Sequence, residues 1–156
     1  MREEFLSAVY MLIFNDKGEV LFQRRSGTKL WPNFLALPAG HIDKGEDACQ
    51  ALVREAKEEL DISITTKDIK DAFVVNRINK NIKPYYDIYF IINNYSGDIK
   101  INEPSKCQEL KWLELDKLPN DVIEFEKIAI DNYCKGIKFS TIKIDEEKDM
   151  ERLNLV

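Results

Sequence analysis

The stretch from Gly40 to Ile62, GHIDKGEDACQALVREAKEELDI, decides how the rest of the chain is read. Between Asp47 and Leu60 the residues Ala48, Leu52, Ala56 and Leu60 recur at helical spacing, so a helix here carries one apolar stripe. Glu46 and Asp47 stand at its start, where negative charge complements the helix dipole. The same helix carries Glu55, Glu58 and Glu59, placed so that their side chains are neighbours on its surface. At ~100° per residue, Glu59 lies only about 40° from the centre of the apolar stripe and Glu55 about 80°. At least one carboxylate therefore points toward the buried side. A buried charge needs a partner, and a hard divalent cation such as Mg²⁺ or Mn²⁺ suits a set of oxygen ligands. The carboxylates alone leave a second reading open, a solvated acidic face in which Arg54 pairs with Glu58.

On the N-terminal side, Leu35 to Pro38 reads as a short strand that Pro38 ends, and residues 26–34 as a loop. Val20 to Arg25 reads as a strand. It returns from a strand over 5–15 through the turn residues Asp16-Lys17-Gly18-Glu19. On the C-terminal side, residues 71–79, 85–93 and 107–114 read as strands. Asn120 to Lys135 has helical periodicity through Val122, Phe125, Ile128, Ala129 and Tyr133, with Gly136 as its stop. The tail from 137 alternates and then becomes charged, and no element is assigned to it. The pattern is α/β with strands in the majority, and one domain over 1–156 is expected.

The 156 residues carry a formal net charge of −5, a poor balance for gripping long nucleic acid, whose phosphates demand a basic surface. A small phosphorylated ligand needs only a few cations. The three cysteines, Cys49, Cys107 and Cys134, are odd in number, widely spaced and without a C-x-x-C pair. A disulfide framework or zinc knuckle is not indicated, and a reducing, cytoplasmic compartment is expected. The single histidine, His41, excludes a two-histidine zinc site. The apolar run from Phe5 to Phe14 is too short for a membrane span and lacks a cleavage site, so it reads as a strand.

Gly40, Glu46, the pair Arg54-Glu55, the pair Glu58-Glu59 and the aliphatic Ile62 closely resemble the signature box of the Nudix hydrolases, spacing included. All its charged positions match. The departures are Ala56, a small aliphatic, and Asp61, which stands where the box closes on glycine. Asp tolerates the left-handed conformation expected there at some local cost. Leu37-Pro38-Ala39-Gly40 resembles the approach to the box, and Phe22-Gln23-Arg24-Arg25 a strand that often carries a phosphate-binding arginine.

The resemblance implies an α/β/α sandwich, with a mixed β-sheet between helices, and Mg²⁺-dependent hydrolysis of a diphosphate linkage, with Mn²⁺ able to substitute. It implies that Glu55, Glu58 and Glu59 ligate metal with the Ala39 carbonyl, that Arg54 holds the glutamates, and that Glu46 supports the loop or binds metal through water. Glu103 or Glu109 would supply a further ligand or base, although each also reads as a surface residue. Arg24 and Arg25, adjacent on a strand, face opposite sides. One would meet phosphate, and Arg25 is favoured.

The substrate implied is a small nucleotide. Val75-Asn76-Arg77-Ile78 lacks the proline of the ADP-ribose group, and the tyrosine of the dinucleoside polyphosphate group is absent too. A MutT-like nucleoside triphosphatase is the leading reading, with an oxidised nucleotide among the candidates. An ADP-ribose or nucleotide-sugar pyrophosphatase is the alternative, and a nucleotide-sensing module without turnover is the alternative of another class. Asn120 and Asp121, opening the last helix, are candidates for base contact or for a plain helix cap. Tyr85, Tyr86 and Phe34 are candidates for base stacking or for the core. Monomer and homodimer both remain open.

Overall fold

The computed structural model describes residues 1–151. Strands β1 (Leu6–Ile13), β4 (Ala39–His41), β5 (Ile69–Asn79), β6 (Tyr85–Ile92) and β8 (Phe139–Ile144) form one sheet in the order β4-β1-β6-β5-β8. The sheet is mixed. β1 runs parallel to β6 and β5 parallel to β8, while β1–β4 and β5–β6 are antiparallel. A smaller antiparallel sheet joins β2 (Val20–Arg25), β3 (Leu35–Ala36) and β7 (Cys107–Leu113) in the order β3-β2-β7.

The unbroken apolar run of β1 follows from burial on both faces. Ala8, Tyr10 and Leu12 pack with Phe73, Val75, Tyr89 and Ile91 against Phe125 and Ala129 of α2 (Glu124–Cys134). The alternate residues Val9, Met11 and Ile13 pack with Phe90 and Ile92 against Ala51, Leu52, Ala56 and Leu60 of α1 (Ala48–Leu60). The mixed sheet thus lies between two helices, the α/β/α arrangement expected.

α1 begins where the sequence places it. Asp47 caps it, accepting the Gln50 N–H at 2.8 Å while Gln50 Oε1 accepts the Asp47 N–H at 2.9 Å, a reciprocal capping box. Its last turn closes on Asp61 at φ 56°, ψ 36°, the left-handed cap glycine usually fills. Lys57 and Lys100 hold the Asp61 carboxylate at 2.8 and 3.1 Å, which offsets part of the local strain.

Two expectations need correction, and one unassigned segment gains its elements. The helix expected from Asn120 begins at Glu124, because Leu35 N–H donates to the Asp121 carbonyl at 2.8 Å and Ile123 N–H to the Leu35 carbonyl at 3.0 Å. That pairing bridges Val122 to Leu35 of β3, after a turn that Val122 N–H closes on the Pro119 carbonyl at 3.3 Å. The strand read over Leu35–Pro38 is two strands in two sheets, β3 and then β4, with the chain crossing at Leu37-Pro38. The unassigned tail contains β8 and a short helix α3 (Glu146–Glu151), while its last residues, 152–156, lie outside the described residues.

Candidate active site

A cleft of about 440 Å³ opens between α1, the start of α2 and the strands β1, β4 and β5. One end is acidic. Glu55 and Glu59 line it, and Glu103 raises the pKa of both through charge repulsion. Arg54 organises the same end. Its Nε and Nη2 donate to the two Glu46 oxygens at 2.7 and 2.9 Å, and its Nη1 to Glu55 Oε1 at 2.8 Å and Glu58 Oε2 at 3.1 Å. Its Nη2 also reaches the His41 carbonyl at 3.0 Å, tying α1 to β4. Glu58 is the most exposed of the three helix carboxylates, its side chain 49% accessible against 13% for Glu55.

Glu59 is the unusual group. Its Oε2 is buried with no hydrogen-bond partner. Burial first, then the Glu55 and Glu103 charges, push its carboxyl well above the ordinary range, against a backbone hydrogen bond from Ala39 and the Lys106 charge. Glu55 is likewise raised by burial, with Arg54 opposing. An orphaned buried carboxylate oxygen beside two further carboxylates fits a hard cation. Among the described residues no three His, Cys, Asp or Glu side chains already close on one point, and Arg54 holds two of the carboxylates by ion pairs.

The backbone at Ala39 faces the same side. Met11 N–H donates to the Pro38 carbonyl and Ile42 N–H to the Ser7 carbonyl, at 2.9 and 3.0 Å, and Ala39 stands opposite Tyr10. Alternation along an antiparallel ladder then points both polar groups of Ala39 away from β1, over the open edge of the sheet. The absence of a side chain at Gly40 leaves room for the Glu55 carboxyl, which a Cβ there would displace.

Glu103 arrives on a loop docked to the end of α1. Asn102 N–H donates to the Glu59 carbonyl at 3.0 Å, and Asn102 Nδ2 to the Glu58 and Lys57 carbonyls at 3.0 and 3.3 Å. The same loop sends Lys106 into the cleft.

The two adjacent arginines separate. Arg25 lines the cleft, its Nη2 donating to the Leu30 carbonyl at 3.1 Å and its buried Nε having no partner. Arg24 turns away and pairs with Glu109 at 3.3 Å and Asp121 at 2.8 Å. Arg24, Glu109 and Asp121 therefore satisfy one another outside the cleft. Asn120 does not line the cleft either, and neither Asn120 nor Asp121 caps α2, whose N-cap position is Ile123. Among the aromatic candidates Tyr85 lines the cleft, Phe34 is core, and Tyr86 packs on Phe5.

A family model described as NUDIX domain matches residues 4–133. The chain belongs to the Nudix family. It is 28% identical to an RNA pyrophosphohydrolase of Ruthia magnifica subsp. Calyptogena magnifica, over 86% of this chain and 82% of that one. It is 43% identical to an uncharacterised Nudix hydrolase of Listeria innocua, but over 42% of this chain and 40% of the relative, so that match spans less than half the relative's length. The crystal structure of a MutT NUDIX hydrolase from Burkholderia pseudomallei superposes with a TM-score of 0.70 at 26% identity, covering 83% of this chain and 98% of that one. This Nudix hydrolase has, among its described residues, no helix long and apolar enough to cross a membrane.

The other end of the cleft was not anticipated. Leu30, Trp31, Ile82, Ile123 and Phe125 wall it, with Arg77 and Glu126 beneath. The Arg77 guanidinium lies between the Tyr85 and Phe125 rings, 4.1 and 4.5 Å from their centroids, and pairs with buried Asp87 at 2.6 Å. The sequence signals were Arg77 and Asp87, charges inside apolar strands, and Glu126, which interrupts the Ile123–Ile130 side of a helix.

Proposed function

We propose that this Nudix hydrolase cleaves a diphosphate linkage of a nucleoside triphosphate with the help of a divalent cation. The observation that carries this reading is the orphaned Glu59 Oε2, buried beside Glu55 and Glu103, at one end of a cleft whose other end is aromatic. Glu55, Glu58 and Glu59, with the Ala39 carbonyl and with Glu46 through water, would hold Mg²⁺, and Mn²⁺ would substitute. Such a cation, when bound, neutralises phosphate oxygens and acidifies water.

The chain's own residues do the remainder. Arg54 fixes the orientation of Glu46, Glu55 and Glu58 and so holds the acidic end in register for the reaction. Glu103, delivered by the loop that Asn102 anchors to α1, accepts the proton of the attacking water. Arg25 offers its unpartnered Nε to a phosphate oxygen, and Lys106 adds a second cation at the cleft. Charge-assisted donors of this kind favour the phosphate chain over a neutral ligand. Leu30, Trp31 and Ile82 supply apolar surface for the base.

A second reading, action on the 5′ end of RNA, is favoured by the RNA pyrophosphohydrolase relative that aligns along 86% of the chain. The net charge of −5 weighs against a long polyanion.

The experiment is a panel of nucleoside triphosphates, oxidised nucleotides, ADP-ribose, a nucleotide sugar and a 5′-triphosphorylated RNA, assayed for phosphate and pyrophosphate release with Mg²⁺ and with EDTA. We expect EDTA-sensitive release from a nucleoside triphosphate at rates exceeding those from ADP-ribose. Tight nucleotide binding with no release from any substrate would identify a sensing module instead.

A further inference from the structure

Glu126 sits on the apolar side of α2, between Ile123 and Ile130, both buried. It is 2% exposed and lines the cleft. A leucine there would extend the core, so a carboxyl at this position carries a desolvation cost with no packing gain. Leu37 N–H donates to Glu126 Oε1 at 2.7 Å, which fixes the orientation of the group. Among the described residues no cation stands within ion-pair distance of it. Arg77 from β5 is taken up by Asp87, Asn79 and Tyr10, and Arg25 from β2 donates to Leu30.

We propose that Glu126 determines specificity, pairing as a neutral acid with the ring edge of a nucleobase seated in the part of the cleft that Leu30, Trp31 and Ile82 line. This rests on the nucleotide reading given above and names the part of the substrate that the closed end of the cleft recognises. A neutral carboxylic acid presents one donor beside one acceptor. That pair complements the amidine edge of adenine or cytosine and the lactam edge of guanine or uracil. A carboxylate presents acceptors only and loses these pairings. The surroundings favour the acid. Burial pushes Glu126 up to about 8, with Asp87 adding to the rise and the Leu37 N–H, Arg25 and Arg77 opposing it. The remaining titratable neighbours, Tyr10 of β1 and Tyr89 of β6, are buried phenols held neutral.

The test compares the wild type, Glu126→Gln and Glu126→Leu on a nucleoside triphosphate and on inorganic tripolyphosphate. Glutamine keeps an acceptor for Leu37 and a donor for the base. We expect Glu126→Leu to lower the ratio of kcat/KM for nucleotide over tripolyphosphate about thirtyfold, through KM. Glu126→Gln should keep that ratio within about threefold of wild type. Between pH 7 and 9 the wild-type KM for nucleotide should rise about tenfold, as a group near 8 loses its proton, and the glutamine variant should not share the rise. Equal losses on both substrates would mean that Glu126 only secures Leu37, and would overturn the proposal, as would an unaltered ratio in Glu126→Leu. If the leucine variant does not fold, the glutamine pH profile decides, and a rise matching wild type overturns the proposal. Binding of a non-hydrolysable nucleoside triphosphate, followed by tryptophan fluorescence, reads the base contact without turnover. Failure of hydrolysis and failure of base recognition are thereby distinguished.

Discussion

The cleft holds two buried carboxyl groups, Glu59 at one end and Glu126 at the other, and burial raises both above the ordinary range. Their neighbours differ. Glu59 faces Glu55 and Glu103, so its environment is negative and one of its oxygens has no partner. Glu126 faces Arg25 and Arg77 and accepts a backbone N–H. A carboxyl among carboxylates is stabilised by adding a cation, and a carboxyl in an apolar wall is stabilised by keeping its proton. Desolvation alone therefore does not define a role; the surrounding charges decide between metal ligand and hydrogen-bonding acid.

The strongest way to break this contrast is Glu59→Gln. Its kcat should fall at least about a hundredfold, equal to about 2.7 kcal/mol of barrier. In EDTA at pH 7–8 the variant should melt above wild type. The sign follows from linkage. Glu59 has a raised folded pKa, so its stabilising contribution is fully present below its unfolded pKa and is lost as pH rises through the folded value. Removing the charge recovers that loss. Saturating Mg²⁺ should reverse the order, because a ligand that binds only the folded state stabilises wild type. Thermal melts with EDTA and with Mg²⁺, beside steady-state rates, check both halves. Wild-type turnover in a folded Glu59→Gln would make the acidic end a solvated helix face.

The acidic end was legible in the sequence because Glu55, Glu58 and Glu59 lie on one continuous helix, where spacing makes them neighbours, and because the resemblance to the Nudix box chose metal ligation over a solvated acidic face. Glu59 falls near the apolar stripe by helical arithmetic, and the structure places its oxygen inside. The closed end was not legible. Trp31, Arg77 and the pair Phe125-Glu126 come from three separate segments, and they meet only through the sheet order β1-β6-β5 and the bridge of Val122 to β3. That pairing is also why helical periodicity over Asn120–Ile123 misled, since Asn120 and Asp121 lie in a turn and tertiary hydrogen bonds hold the segment at Val122 beside β3. β4 was hidden because Pro38, read as a strand end, instead marks the crossing between sheets. Arg24, Glu109 and Asp121 each carried a plausible functional residue type; only their mutual pairing removes them from the cleft.

A smaller effect separates the two carboxyls by pH. For Glu126, with its folded value near 8 against an ordinary 4.5, the stabilising contribution is complete below pH 4.5 and declines up to about pH 8. Glu126→Gln should therefore match wild type near pH 4.5 and gain on it as pH rises. The gain should reach about 2 kcal/mol by pH 8, under a ceiling of about 1.4 kcal/mol per pH unit. Mg²⁺ should leave this difference unaltered, in contrast to Glu59→Gln. Denaturant melts at several pH values measure it, and a Mg²⁺-dependent difference would collapse the distinction between the two ends.

The smallest effect tests whether the cleft, and not the strand, assigns the arginines. Arg24 and Arg25 are neighbours with the same chemistry, so any difference between their alanine variants reflects placement. Arg25 lines the cleft with a buried, unpartnered Nε, a donor that a phosphate oxygen can take without breaking an existing bond. Its truncation should raise KM about tenfold, the loss of one charge-assisted contact, with kcat changed less. Arg24 already spends its donors on Glu109, Asp121 and the Asn33 carbonyl. Its truncation should leave KM within about twofold and lower stability by about 1 kcal/mol or less, as for a partly exposed ion pair. Steady-state kinetics and melting of the two variants side by side decide the matter. A larger KM effect at Arg24 would mean that its ion cluster opens when substrate binds, and that the phosphate chain crosses β2 on the face opposite the cleft.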